Sequence, residues 1–195
     1  MGSVPTQPQD WRNQLSTQQL DPVGGRLKRA FDFAGASIAL VLTAPIMLIA
    51  AALIRMFLGG PVIVAQKRIG FNGKVFVCYK FRTMVIGGDE ICLGNVLRKS
   101  SIDELPQLFN VLFGDMSLVG PRAVVPEEIA RYGHHARTCL RARPGLTGMW
   151  QTTGRNRISY RARVARDLYY ARNWSLWLDL VVLIKAIATK CDETA

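Results

Sequence analysis

The feature that most constrains this chain is an apolar run from Phe33 to Ile54, with Pro45 at its middle and cations at both ends. The run is about 20 residues long, near the length of a membrane-spanning helix. Proline in a helix interior removes a backbone hydrogen bond and clashes with the preceding turn. Arg26, Lys28 and Arg29 precede the run, and Arg55, Lys67 and Arg68 follow it. Positive flanks mark the cytoplasmic side, so this pattern puts both ends on the same side. Each half is about ten residues, or about 15 Å of helix, half of a ~30 Å hydrocarbon core. A helix–break–helix hairpin that enters one leaflet and returns is therefore favoured over a straight span. Ser37 and Thr43 are at hand to satisfy carbonyls freed at the break. A buried helix pair in a soluble fold stays open as a third reading.

Composition points the same way. The 195 residues carry 25 Lys and Arg against 14 Asp and Glu, a net charge of +11, yet 49% of the chain is apolar. Basic chains that are disordered are poor in apolar residues. A chain both basic and apolar suits an anionic membrane surface or a phosphate ligand. Wholesale disorder, a disulfide scaffold, a collagen-like repeat and a multi-pass transporter are disfavoured. Cys78, Cys92, Cys139 and Cys191 form no C-x-x-C pair and read as free thiols in a reducing compartment. His134 and His135 are adjacent without a helically spaced partner, so they read as surface residues rather than metal ligands. The basic residues are scattered among apolar segments without an aromatic–basic platform, which speaks against nucleic acid as a partner.

Along the chain, residues 1–25 read as a mobile tail, rich in Gln, Pro, Ser, Thr and Gly. Its start fits a myristoylation pattern by form alone. Val62–Ala65 and Val75–Tyr79, separated by Gly70-Phe71-Asn72-Gly73, predict a β-hairpin. Helices are predicted over Asp103–Phe113, Glu127–Arg141 and Tyr160–Ala171. Trp174–Ala188 is apolar, with Trp174 and Trp177 at its start and Asp179 interrupting it. It is either an interfacial helix or a core helix with its tryptophans turned inward.

The densest polar cluster is Arg98-Lys99-Ser100-Ser101-Ile102-Asp103-Glu104-Leu105-Pro106. Ser101 through Glu104 has the form of a capping box, although Pro106, tolerated only in the first helical turn, leaves Asp103 itself as an alternative N-cap. The same carboxylate pair, set after two cations at a helix start, also suits an anionic ligand. A cap alone and a reactive pair both remain open at this point. Gly120-Pro121-Arg122 is a rigid turn holding one arginine. Arg143-Pro144-Gly145-Leu146-Thr147-Gly148, followed by Gly154-Arg155-Asn156, forms loops that suit phosphate.

These segments occur in a telling order: Lys80-Phe81-Arg82-Thr83-Met84, then Arg98 through Asp103-Glu104-Leu105-Pro106-Gln107-Leu108-Phe109-Asn110-Val111, then Gly114 through Gly120-Pro121-Arg122, then Arg143 through Gly148 and Gly154-Arg155-Asn156. The chain strongly resembles the bacterial sugar transferase family, the monotopic polyprenyl-phosphate phosphoglycosyl transferases, over about Arg26 to Ile187. The resemblance is to a short, exopolysaccharide-initiating form without the multi-helix membrane domain of larger members. It implies an α+β fold with a re-entrant membrane hairpin over 26–58, a cytoplasmic-face catalytic domain with interfacial helices over 59–190, and a tail over 191–195. The implied location is the bacterial inner membrane, with the active site on the cytoplasmic face.

The resemblance also implies roles. Asp103 and Glu104 fall on the family's dyad, with Asp103 the nucleophile and Glu104 helping to hold Mg²⁺. Lys80, Arg82, Arg98, Arg122 and Arg155 fall on positions associated with the substrate's phosphates and nucleotide. The partners implied are a UDP-sugar (galactose or glucose), polyprenyl (undecaprenyl) phosphate, membrane lipid and a second copy of the chain as a homodimer. Asp103 would attack the sugar-bearing phosphorus and release UMP, and polyprenyl phosphate would then take the phosphosugar from the aspartate. The stretch between Met84 and Arg98 is shorter than in many members. A catalytically silent, membrane-anchored scaffold of the same fold is the competing reading.

Overall fold

The computed structural model describes residues 21–84, 92–153 and 159–194. Most of the expected N-terminal tail, the short stretch after Met84 and Arg155 of the Gly154-Arg155-Asn156 motif lie outside the described residues.

The first element, α1 (Gly25–Leu58), is one 34-residue helix with Pro45 inside it. The break expected at Pro45 is thus not an interruption of the helix. Ser37 Oγ donates to the Phe33 carbonyl at 2.8 Å and Thr43 Oγ1 to the Ala39 carbonyl at 2.7 Å. Neither takes up the Val41 carbonyl that Pro45 leaves without its N–H. Such back-bonding by hydroxyls bends helices. Extended straight, 34 residues would reach about 51 Å. Yet both ends pack on the same body. Ala36 joins a core with Phe76, Leu108, Met116, Val119 and Tyr170. Ala50, Ile54 and Leu58 join another with Phe81 and Leu97. Between them Ile38, Val41, Leu42 and Leu48 are exposed. α1 is the one described helix long and apolar enough to cross a membrane.

The predicted hairpin forms as β1 (Ile63–Ile69) and β2 (Val75–Phe81), antiparallel, with Gln66 opposite Cys78 and Arg68 opposite Phe76. Opposed residues share a face, so Gln66, Arg68, Cys78 and Lys80 project to one side. Asn72 supplies a left-handed residue (φ 55°) in the turn, a conformation asparagine tolerates better than most residues.

After β2 come α2 (Cys92–Ser100) and a short 3-10 turn, Ile102–Glu104. Then follow α3 (Gln107–Phe113) and β3 (Ser117–Val119). The single helix expected over Asp103–Phe113 is therefore divided. Pro106 lacks an N–H and stands at the N-cap of α3, so the dyad lies before the helix rather than in its first turn. Glu127–Arg141 is likewise not one α-helix. It is a 3-10 stretch, Pro126–His135, kinked at Gly133 (φ 52°), followed by α4 (Ala136–Cys139). β4 (Gly145–Thr147) pairs parallel with β3, and α5 (Tyr160–Arg172) is capped by the Ser159 hydroxyl. α6 (Leu176–Thr194) continues past residue 190.

The two tryptophans before and at the start of α6 part company. Trp174 packs on the main core, whereas Trp177 is 74% exposed. Asp179 is the reason for the inward turn. It is fully buried and accepts from Trp174 Nε1 at 3.1 Å and Tyr170 Oη at 2.7 Å, while Lys28 Nζ stands 2.9 Å away. Lys28 also meets Asp32, which accepts from Ser117 Oγ and the Leu118 amide. This network pins the start of α1 to β3 and α6. The carbonyls at the end of α3 are closed by arginines: Arg29 donates to Val111 and Leu112, and Arg143 to Gly114. Cations there oppose the negative end of the helix dipole.

Candidate active site

Asp103 and Glu104 occupy the 3-10 turn. Successive residues there project about 120° apart rather than the 100° of an α-helix. Ser101, just before the turn, holds a left-handed backbone (φ 58°) and makes no capping bond. The Ser101 side of the expected capping box is thus not formed. A non-glycine residue in that conformation stores strain, which concentrates at functional sites.

Glu104 faces Lys80 across the gap between turn and β2, with Glu104 Oε1 accepting from Lys80 Nζ at 2.9 Å. The two side chains are 27% and 25% exposed, so the pair is open to a ligand. Asn110, on the helix that follows the turn, bonds the same strand. Its Nδ2 donates to the Val77 carbonyl at 2.7 Å, and its Oδ1 accepts from the Tyr79 amide at 3.1 Å. An asparagine side chain thereby imitates a strand on the edge of β2 and ties α3 to it.

Arg122 arrives by a different route. Gly120 and Gly145 meet backbone to backbone, and a Cβ on either would run into the other strand. Gly120 N donates to Thr147 O, Gly145 N to Pro121 O and Ser117 N to Pro144 O. The two proline–glycine motifs, 25 residues apart by Gly120 and Gly145, are therefore one structure. It carries Arg122, which lines the same cavity as Lys80 and Glu104. The Arg122 guanidinium lies 5.3 Å from the centre of the Trp150 ring, and Arg163 lies 5.1 Å from the same ring.

Together these groups enclose a cavity of about 80 Å³ whose wall includes Arg68, Lys80, Glu104, Gln107, Arg122 and Trp150. Three cations and one carboxylate in a partly closed space suit a multiply charged anion. Cys78 is also in the wall, and burial raises its thiol pKa, so it stays protonated. Behind Arg122, Asp167 accepts from the Arg122 amide and from Tyr132 Oη at 3.0 Å. Burial pushes its pKa up to about 7 against those hydrogen bonds.

The other expected site residues are placed differently. Asp103 is 9% exposed and is not part of this wall. Arg98, half-buried on α2, donates to Asn95 Oδ1 at 2.9 Å and is also outside the wall. Arg82 is buried, with its donors on the carbonyls of Gly60 (2.6 Å) and Met84 (2.8 Å), so it holds the end of the hairpin. Arg155 lies outside the described residues. Arg68 and Trp150 join the site without a sequence motif to mark them, and Gln107 joins it from within the dyad motif, where no role was assigned to it. Strand alternation could have found Arg68, because it shares a face with Lys80 once the hairpin register is known.

The donor set fits Mg²⁺ in one respect. Glu104 offers hard carboxylate oxygen at the cavity, and Asp103 is its neighbour in the turn. Among the described residues no group of three or more His, Cys, Asp or Glu is gathered. A magnesium ion is commonly held by one or two carboxylates, with water and substrate phosphate completing the shell.

The profile of the bacterial sugar transferase family matches residues 23–193. The exopolysaccharide production protein ExoY of Rhizobium meliloti (strain 1021) is 44% identical over 203 residues, covering 90% of each chain. The uncharacterized sugar transferase EpsL of Bacillus subtilis (strain 168) is 43% identical over 168 residues, covering 80% of this chain and 83% of that protein. The undecaprenyl-phosphate galactose phosphotransferase of Salmonella typhimurium is 40% identical over 187 residues, which is 82% of this chain but 39% of that longer protein.

Proposed function

The chain belongs to the bacterial sugar transferase family, and from that premise we propose that it moves a sugar 1-phosphate from a UDP-sugar to polyprenyl phosphate through a phosphosugar–Asp103 intermediate. The observation that carries the reading is the cavity lined by Lys80, Arg68 and Arg122 together with Glu104, which the turn after the strained Ser101 presents. A nucleotide diphosphate sugar brings two negative phosphates, and a carboxylate reaches them only when cations offset that charge.

The three cations bind the diphosphate and stabilise charge building on the phosphoryl oxygens. Arg122, held by Trp150 and by the β3–β4 junction, gives planar two-point contact. An Asp103 carboxylate oxygen attacks the sugar-bearing phosphorus, a new O–P bond forms, and the bond to UMP breaks. A phosphate oxygen of the lipid acceptor then attacks the same phosphorus and releases the Asp103 carboxylate. The product is a polyprenyl diphosphate sugar. Glu104 would hold Mg²⁺, which supplies charge neutralisation at the diphosphate when bound. Asp103 does not line the cavity, so the reading requires substrate to draw the turn and the phosphate together.

We also infer that α1 dips into the cytoplasmic leaflet and returns. Both of its ends pack on one body while its middle is exposed and apolar, and cations flank both ends. This puts the cavity near the headgroups of the inner membrane, where a lipid phosphate lies. A homodimer is compatible with this arrangement and not required by it.

The test is the nucleotide released. Purified protein in nanodiscs receives UDP-sugars, Mg²⁺ and undecaprenyl phosphate. UMP that depends on Asp103 and on the lipid is the expected product. UDP would mean ordinary glycosyl transfer, and no release with any sugar would favour a silent scaffold.

A further inference from the structure

Another cavity, of about 190 Å³, shares Glu104, Leu146 and Gln151 with the polar one. Its remaining wall is largely apolar and includes Leu105, Leu118, Leu183 and Ile187. The polar side chains of Glu104 and Gln151 belong to the edge that both cavities share. Two compartments of opposite character, joined at the carboxylate of the dyad, match an amphiphile with an anionic head and a hydrocarbon tail.

The outer wall belongs to α6, and α6 carries a surface that nothing in the described residues covers. Trp177, Leu180, Ile184 and Ile187 are 74%, 40%, 66% and 65% exposed. Their spacing of three, four and three places them on one helical stripe. Ile187 belongs to both the stripe and the groove, so the groove opens onto the stripe. An exposed apolar stripe with tryptophan at one end suits a helix lying in the headgroup layer. The groove is smaller than the 300–1,000 Å³ typical of a pocket that engulfs a whole ligand. It has room for the beginning of a long tail, with the rest running out along α6 into lipid.

We propose that this groove, between the dyad turn, β4 and α6, holds the first prenyl units of the polyprenyl phosphate acceptor, with the acceptor's phosphate at the Glu104 edge. The proposal rests on the phosphoglycosyl transfer reading and adds to it the surface that selects the acceptor. The donor diphosphate and the acceptor tail then occupy separate compartments that meet along the edge formed by Glu104, Leu146 and Gln151. That separation explains how one small site serves a water-soluble and a membrane-borne substrate in turn.

The experiment uses the full chain in nanodiscs of phosphatidylethanolamine and phosphatidylglycerol. Ala186 is a half-buried groove residue on the outer helix, and Ala186→Phe fills the groove. The expected result is a rise of about tenfold in KM for undecaprenyl phosphate, with kcat and the KM for UDP-sugar changed by less than about twofold. A separate measurement needs no filled groove. p-Benzoylphenylalanine in place of Ile187 is irradiated with radiolabelled undecaprenyl phosphate. Label capture that unlabelled undecaprenyl phosphate suppresses, and added phosphatidylglycerol does not, supports the proposal. An unchanged acceptor KM in a folded Ala186→Phe protein overturns it. So does capture that phosphatidylglycerol suppresses equally, which would make the groove a site for ordinary acyl chains. Exchange of labelled UMP into UDP-sugar without lipid reads the donor half alone. Its absence in the wild-type protein would count against the phosphosugar intermediate, while lipid capture would still report on the groove.

Discussion

Lys28 meets Asp32 and Asp179 at 2.9 Å, with side chains 6%, 1% and 0% exposed, whereas Lys80 meets Glu104 at the same distance with both side chains about a quarter exposed. The Lys28 group is crowded with further donors from Ser117, Leu118, Tyr170 and Trp174. The Lys80–Glu104 pair borders a cavity instead. The contact length is equal, so length says nothing about role. Solvent access and the count of partners separate a network that holds elements together from a pair that can exchange a partner for substrate. Removing one member of a buried network strands a charge and costs about 3–5 kcal/mol, while an open pair is worth about 0–1 kcal/mol.

The largest expected effect lies beside the open pair. Asp103→Asn should lower turnover by about three orders of magnitude or more with an unchanged melting temperature. A variant that turns over near the wild-type rate would remove Asp103 as nucleophile. Next comes Lys28→Met, which should destabilise the protein by about 3–5 kcal/mol in denaturant unfolding in detergent. A loss below about 1 kcal/mol would mean that the network holds far less than its burial implies. Lys80→Met is its counterpart. Activity should fall by about a hundredfold, with stability changed by about 0–1 kcal/mol. If Lys80→Met instead unfolds the protein, the distinction between the two lysines collapses. Glu104→Gln should raise the Mg²⁺ concentration needed for half-maximal rate, and an unchanged metal titration would speak against the ligand role.

A further effect, read in pH dependence, concerns Asp167, a buried carboxyl of neither kind. Its pKa is raised from 3.8 to about 7 by burial. Between those values the folded state binds more protons than the unfolded state, so this group makes stability fall as pH rises from about 4 to about 7. Above about 7 its contribution levels off. Asp167→Asn should flatten that part of a stability–pH curve, and an unaltered slope would show that Asp167 is ionised throughout.

Much of this was legible locally. The hairpin announced itself by β-rich segments around Gly70-Phe71-Asn72-Gly73, and the structure supplied its register. The basic helix was equally plain over Tyr160–Ala171 and runs to Arg172, while its Ser159 cap emerged only in the structure. The dyad was visible as residues but misplaced in structure, because its S-x-x-E spacing imitates a capping box. Pro106 and the left-handed Ser101 turn it into a separate 3-10 turn. Arg82 and Arg122 looked alike as motif arginines. Only packing showed that one is used up on two carbonyls while the other lines the cavity. Asp179 looked like a flaw in an apolar helix and proved to be its anchor.

What the sequence determined by itself are properties that act over a few residues: the apolar run with cations at both ends, the hairpin, and the residue types able to bind phosphate. Tertiary structure alone decided which charges meet. Lys28 finds Asp179, Gly120 lies against Gly145, and Arg68 joins Lys80. Hydrophobic burial is non-directional and specifies no partner. A buried charge needs an opposite charge and hydrogen-bond partners, and Lys28, Asp32 and Asp179 find theirs only once α1, β3 and α6 have come together.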